Sequence, residues 1–364
     1  MSKSLWIAQC HAAGDATGYN PVRGAGVSRA HAAEERDRTV VTAAGTLTNL
    51  RVSMAAAAGE GKSWTYTVRV NGASPANTLV VTISGATETN DTDLFATTGH
   101  SVTLAAGDTV DIMVVPAGTP TSDIFTGICC EFTPTTAGET VLGGNTGVGN
   151  LTDASLYMPL VAYGAPQATQ GLCQIIVPAA GTVKNLYVNL WAAPGAGNSR
   201  AFTLYKGTDP QALTCTVSGT GTIANDTDDG HHFHVVAGDL ISVYHVPDSN
   251  PANTSGAAVS VTFLPDTAGQ FILPAHMAEG AGPSVSATSY LCTVSGGAVY
   301  NATEAYRLQL FAACIIKAMY VALDVAPGVG KSYAFTLRNN TANTIITKTL
   351  AGTGTGDGIT TGNY

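Results

Sequence analysis

Charge is scarce in this chain. Only 11% of its residues are Asp, Glu, Lys or Arg, against roughly 25% in an average soluble domain. The 16 basic residues are outnumbered by 25 acidic ones, for a formal net charge of −9. No basic cluster interleaves with aromatics, so nothing in the pattern offers a field for phosphates, and nucleic acid is not expected as a partner. Long apolar runs are missing as well. The best stretch, Cys314 to Leu323, falls short of the roughly eighteen residues of a membrane helix and carries Lys317. No membrane span is therefore expected. Leu5-Trp6-Ile7-Ala8 is too short for the apolar part of a secretory signal and is soon followed by His11 and Asp15.

The seven cysteines (Cys10, Cys129, Cys130, Cys173, Cys215, Cys292 and Cys314) include no CxxC and no zinc-ligand spacing. Their odd number leaves at least one thiol free. Cys173 and Cys215 share one repeat and could pair, but small buried hydrophobes are the plainer reading. Glutamate is sparse and no GxSxG elbow selects a nucleophile, so neither a glycosidase pair nor a catalytic triad is marked. The expectation is a protein that is not an enzyme and needs no cofactor.

What the chain does have is Gly, Ala, Thr and Ser, a composition of sheets and turns, in enough length for two or three domains. Self-comparison finds a repeat. Gly59-Glu60-Gly61-Lys62-Ser63 returns as Gly195-Ala196-Gly197-Asn198-Ser199 and as Gly328-Val329-Gly330-Lys331-Ser332, offsets of 195 − 59 = 136 and 328 − 195 = 133. Upstream, Leu47, Leu50, Val52 and Met54 match Val183, Leu186, Val188 and Leu190, then Ile316, Met319, Val321 and Leu323. Downstream, Trp64 to Val68 matches Ala201 to Leu204 and Ala334 to Leu337. The pattern predicts two strands of one hairpin with a Gly-rich turn. Ala106-Gly107-Asp108 and Ala237-Gly238-Asp239 mark a further turn between strands. Tyr19-Asn20-Pro21-Val22 resembles Tyr157-Met158-Pro159-Leu160, and Tyr290-Leu291-Cys292 holds the same place in the third copy. Helical periodicity is absent except over Ser28 to Arg38, which could hold a turn or two.

These landmarks predict an all-β protein of three tandem antiparallel β-sandwich domains of jelly-roll type at 1–135, 136–266 and 267–364, each complete one with roughly eight short strands. The third copy is expected to lack its C-terminal strands, because the stretch from Phe233 to Phe263 finds no counterpart in it. An unfinished sandwich exposes a sheet edge, here near Val321, Leu323 and Phe335, and either aggregates or recruits strands from elsewhere; the equal alternative is that the sequence is a fragment of a longer reading frame.

Gly59 to Ser63 ends like a phosphate-binding loop, but the first glycine of that motif would fall at Ala56 and a strand follows instead of a helix, so a turn is expected. The densest metal-capable set runs from Asp226 to His234; within it Asp228, His232 and His234 are weak candidate ligands, the two histidines sharing one strand face. Asn90-Asp91-Thr92-Asp93 and Asn225-Asp226-Thr227-Asp228 match by sequence and place Asn90 and Asn225 in equivalent loops, without the ligand series of a calcium loop. Glycosylation sequons fall at Asn90, Asn150, Asn225, Asn253, Asn301 and Asn339. Trp6, Trp64 and Trp191 are too scattered to suggest an aromatic carbohydrate-binding face.

The Gly-Thr-Leu-Thr-Asn-Leu-Arg-Val stretch at 45–52, the Gly-x-Gly-Lys-Ser turn and the Ala-Gly-Asp turn together resemble a β-sandwich module of phage virion and fibre proteins, and subunits of pili-like extracellular fibrils of environmental microbes. The resemblance implies a structural subunit of a repetitive, homo-oligomeric assembly, a helical fibril or filament, at an extracellular or virion surface, with glycans as further partners. A phage tail-fibre, capsid or decoration protein, or a receptor-binding module, is the alternative. The motifs are turn and core patterns and carry over no functional residue.

Overall fold

Leu47, Leu50, Val52 and Met54 all point into one core, although the step from 47 to 50 breaks the period of two that a strand requires. The break is absorbed at Asn49, whose φ of 57° makes a bulge opposite Cys129 and Glu131. Asn185, with φ 55°, does the same in the second copy. Asn tolerates the left-handed region better than most residues.

The computed structural model describes residues 3–11, 16–25, 32–121, 124–146, 149–163, 165–248, 251, 256–276, 283–284, 286–291, 304, 314–356 and 360–361. The first sandwich contains β1 (Ser4–His11), β2 (Gly18–Pro21), β3 (Gly24–Ala25), β4 (Thr39–Val40), β5 (Gly45–Met54), β6 (Gly59–Val70), β7 (Val80–Gly85), β8 (Asn90–Asp93), β9 (Val102–Leu104), β10 (Thr109–Ala117) and β11 (Phe125–Pro134). One sheet runs β3-β1-β11-β5-β8 with β9 also on β5, and the other runs β2-β10-β6-β7 with β4 also on β10. Trp6, Trp64, Tyr66 and Phe132 fill the space between them.

The second sandwich contains β12 (Thr140–Asn145), β13 (Leu156–Met158), β14 (Ala162–Tyr163), β15 (Ile175–Ile176), β16 (Gly181–Leu190), β17 (Gly195–Lys206), β18 (Asp209–Gly219), β19 (Ile223–Asp226), β20 (Phe233–Val235), β21 (Leu240–Pro247) and β22 (Ala257–Pro265). Its sheets are β14-β12-β22-β16-β19 and β13-β21-β17-β18, with β20 on β16 and β15 on β21. Strand for strand this is the first sandwich again. Each holds eleven strands among the described residues instead of the eight expected, because short edge pieces such as β3 and β4 carry too little pattern to read.

In the C-terminal segment, β23 (Ala318–Met319) pairs with β26 (Thr360–Thr361), and β24 (Gly328–Asn339) with β25 (Ala342–Gly352). The β24–β25 pairing shifts register after Gly328 and after Thr336, as β17–β18 does after Gly195 and after Thr203. The hairpin is therefore the third copy of one element.

Three expectations need correction. β5 and β6 are not a hairpin: they lie in opposite sheets, so 55–58 crosses the core, and the hairpin is β6–β7. Gly59 and Gly61, with φ 105° and 68°, begin β6 with a bulge against β7 and hold no phosphate-loop geometry. Second, Asn90 and Asn225 are neither in loops nor equivalent, since Asn90 pairs with Ser53 whereas Asn225 pairs with Tyr187. The structural match is Asp93 with Asp226, opposite Leu50 and Leu186. A slip of two residues keeps every side chain on its face, so the sequence match could not detect it. Third, helix in Ser28 to Arg38 is reduced to one 3-10 turn at Glu34–Arg36 among the described residues.

Candidate functional site: the outer face of the second sheet and the open C-terminal hairpin

One surface position carries polar or aromatic groups in all three copies. In the first sandwich, Arg69 lies 5.5 Å from the ring centre of Tyr19 and 3.2 Å from Glu34 Oε2. In the C-terminal segment, Arg338 lies 5.7 Å from the ring centre of Tyr290 and 2.8 Å from Glu304 Oε1. Arg69 and Arg338 are both the eleventh residue of their strand. The second sandwich has Tyr205 there, and its ring meets those of Tyr157 and Tyr244 at centroid distances of 6.0 and 5.5 Å, with Tyr157 and Tyr244 4.6 Å apart. All three rings are half-buried. Desolvation, and then the neighbouring rings, push the Tyr157 hydroxyl above its ordinary range.

Beneath this surface the two sandwiches differ in charge. Asp111 on β10 is fully buried beside Glu34 of the Glu34–Arg36 turn, and among the described residues no N–H or hydroxyl donor reaches either of its carboxyl oxygens or Glu34 Oε1. Two carboxyl groups so placed cannot both be ionised. Burial first, and then Glu34, push Asp111 up to about 9 against the pull of Arg69 and Arg38. The second sandwich has a neutral version, in which Gln170 donates to Ser242 Oγ at 3.2 Å and to the Gly207 carbonyl at 2.7 Å. Its core in turn carries a polar pair where the first has Trp64 and Val114. Arg200 is fully buried and donates to the carbonyls of Thr152 and Leu151 at 2.9 and 3.2 Å and to His245 Nε2 at 3.0 Å. Burial, then the Arg200 charge, push His245 down to about 3, so the ring is neutral with its proton on Nδ1.

The metal candidates do not converge. His234 Nε2 bonds Asp266 at 2.9 Å, His232 Nδ1 bonds the Asp229 carbonyl at 2.7 Å, and Asp228 accepts the Gly230 N–H at 2.8 Å. His232 and His234 do share an exposed face. Among the described residues no three His, Cys, Asp or Glu side chains gather to hold a metal. Asp226 instead works as a staple, taking the Thr214 N–H at 2.8 Å and His231 at 3.0 Å. Asp93 repeats it with the Val80 N–H at 2.8 Å and His100 at 2.9 Å. Cys173 and Cys215 are buried and form no disulfide, and the Cys173 thiol donates to the Tyr157 carbonyl at 3.2 Å; desolvation pushes both thiols up to about 12. Asn90, Asn150, Asn225 and Asn339 are exposed; Asn253 and Asn301 lie outside the described residues.

Among the described residues, the C-terminal segment covers its apolar side chains only in part. Val188, Leu190 and Phe202 of the second sandwich are 0, 2 and 0% exposed, whereas their counterparts Val321, Leu323 and Phe335 are only half-buried. Cys314 stands where the earlier copies have Gly45 and Gly181. A Cβ added at Gly45 would lie 2.6 Å from the Phe132 ring, and one at Gly181 2.6 Å from the Phe263 ring. A strand covering Cys314 must therefore bring a residue smaller than Phe to that spot.

No protein-family model matches the chain, and no curated protein matches it.

The Tyr157, Tyr205 and Tyr244 group, and the Arg69 and Arg338 stacks, escaped the sequence reading. The signal was available in the eleventh strand residue, compared across copies after Tyr19, Tyr157 and Tyr290 had been aligned.

Proposed function

We propose that this chain is a non-enzymatic structural subunit of a repetitive extracellular or virion-surface assembly, joined head to tail through its β-sandwiches. The supporting observation is the half-buried state of Val321, Leu323 and Phe335 beside a hairpin with the register of β17–β18. Full burial of a large apolar side chain is worth about 1.5–3 kcal/mol, and a half-buried one forfeits part of that. Strands arriving from a neighbouring chain recover that energy and pair the open sheet edge, the standard route of strand addition. The test is a peptide copying residues 232–266 with the counterpart of Phe263 reduced to Ala, to fit Cys314. It is expected to bind the chain with loss of self-association; a peptide that binds nowhere near β24 defeats the reading.

A second reading is favoured by one observation, the Tyr157, Tyr205 and Tyr244 group on one sheet face. Three neighbouring half-buried phenol rings with their hydroxyls suit a sugar, which stacks on ring faces and hydrogen-bonds to the hydroxyls. Glycan-array binding that is lost in Tyr205→Ala supports this role; a blank array removes it.

A further inference from the structure

The joints between copies are built from equivalent residues. At the first joint, Val141 of β12 packs into the core cluster of the first sandwich. Arg36 lies 5.5 Å from the ring centre of Trp191, Thr262 Oγ1 bonds Thr42 Oγ1 at 2.8 Å, and Val40 packs with Tyr187 and Ala258. At the second joint, Ile272 enters the core cluster of the second sandwich. The turns before Val141 and Ile272 are the same, with the Glu139 N–H on the Thr136 carbonyl at 3.3 Å and the Gln270 N–H on the Thr267 carbonyl at 3.2 Å. The counterparts of Arg36 and Trp191 are Leu172 and Asp324, and the half-buried His276 ring senses both: burial pushes its pKa down, against a hydrogen bond at the Leu172 backbone and the charge of Asp324.

The counterpart of Val141 in the first sandwich is Leu5, since 141 − 136 = 5. Leu5 packs with Ile7 and Cys129 on the outer face of the β1–β11 sheet, against Phe271, Leu273 and Cys314. Leu273 is the counterpart of Trp6 and Cys314 that of Gly45. So Leu5 meets the C-terminal segment with the residue that the later copies use on their predecessors.

We infer that the three copies close into a ring through one repeated contact, the face of Leu5, Ile7 and Cys129 being the dock for the C-terminal copy of the same chain. A head-to-tail contact generates a ring when its rotation closes and a filament when it does not. Here three steps bring the series back to the start, and the chain is a covalent pseudo-trimer. The copy-to-copy face is then used up within the chain, and contacts between chains run through other surfaces. This inference does not rest on the assembly reading above.

The joint at Leu5 is the one without a covalent linker, and that makes it testable. Small-angle scattering on the monomer peak should give a radius of gyration near the compact value, roughly 21 Å for this length. Leu5→Glu should open the ring and raise it, and Val141→Glu should raise it less, because the 135–139 turn still ties that joint. Leu5 lies outside its own sandwich core, and Cys314→Arg repeats the test from the opposite side should Leu5→Glu not fold. A wild-type chain already extended, an equal response to Leu5→Glu and Val141→Glu, or a fall in particle mass on Leu5→Glu would each overturn the ring.

Discussion

Replacing Glu34 and Asp111 by the residues their counterparts use, Gln170 and Ser242, should remove a pH dependence from the first sandwich. In the wild type the buried pair holds one proton that the unfolded chain releases at ordinary carboxylate pH. The folded value of Asp111 is raised, so this contribution to stability is fully present below about pH 4 and is lost as pH rises towards 9. With one proton taken up on folding, the slope is about 1.4 kcal/mol per pH unit, or ~4 kcal/mol between pH 5 and pH 8 as an upper bound. Arg69, 3.2 Å from Glu34, and Arg38, 3.7 Å from it, favour the ionised form and reduce that figure. The informative quantity is the difference between wild type and the Glu34→Gln, Asp111→Ser variant, in which groups common to both proteins cancel. Hydrogen exchange of β10 amides in low urea, followed from pH 5 to pH 8, reads the first sandwich separately. The variant should lose most of the slope and be the more stable protein at pH 8. Parallel slopes for the two proteins would refute the shared proton.

Gly181→Ala should cost about 1–3 kcal/mol in the second sandwich, because its Cβ would meet the Leu264 carbonyl at 2.5 Å and the Phe263 ring at 2.6 Å; Cys314→Ala should cost far less, and urea midpoints compare the two. Asp226→Asn should lower stability by about 1–2 kcal/mol at neutral pH through loss of the charge-assisted bonds to the Thr214 N–H and His231, seen as faster exchange at Thr214.

The sandwich class, the repeat and the two Ala-Gly-Asp turns were legible because they rest on periodicity and backbone chemistry. Gly107 and Gly238, at φ 94° and 99°, need glycine, and Asp108 and Asp239 close the turns by accepting the N–H of Ala105 and Val236 at 2.7 Å. Sheet membership was not legible. A strand pair joined by four residues reads the same whether it forms a hairpin or crosses a core, and β5 and β6 cross it. The bulge at Asn49 left its trace in the Leu47–Leu50 spacing. The candidate surfaces stayed hidden for another reason: Tyr157, Tyr205 and Tyr244 sit on three strands whose adjacency depends on the sheet order. The partner of Asp111 was hidden as well, because Glu34 comes from a short turn whose docking no local pattern records.

The measurement that bears most directly on the assembly reading is negative-stain microscopy of two proteins side by side. One is the chain itself, and the other is the chain extended by a copy of residues 232–266 with the counterpart of Phe263 changed to Ala. The account predicts filaments or another regular assembly from the first and separate particles from the second, whose open sheet is filled from within. Separate particles from both, with β24–β25 amides in the unextended chain as protected as those of β17–β18, would contradict it.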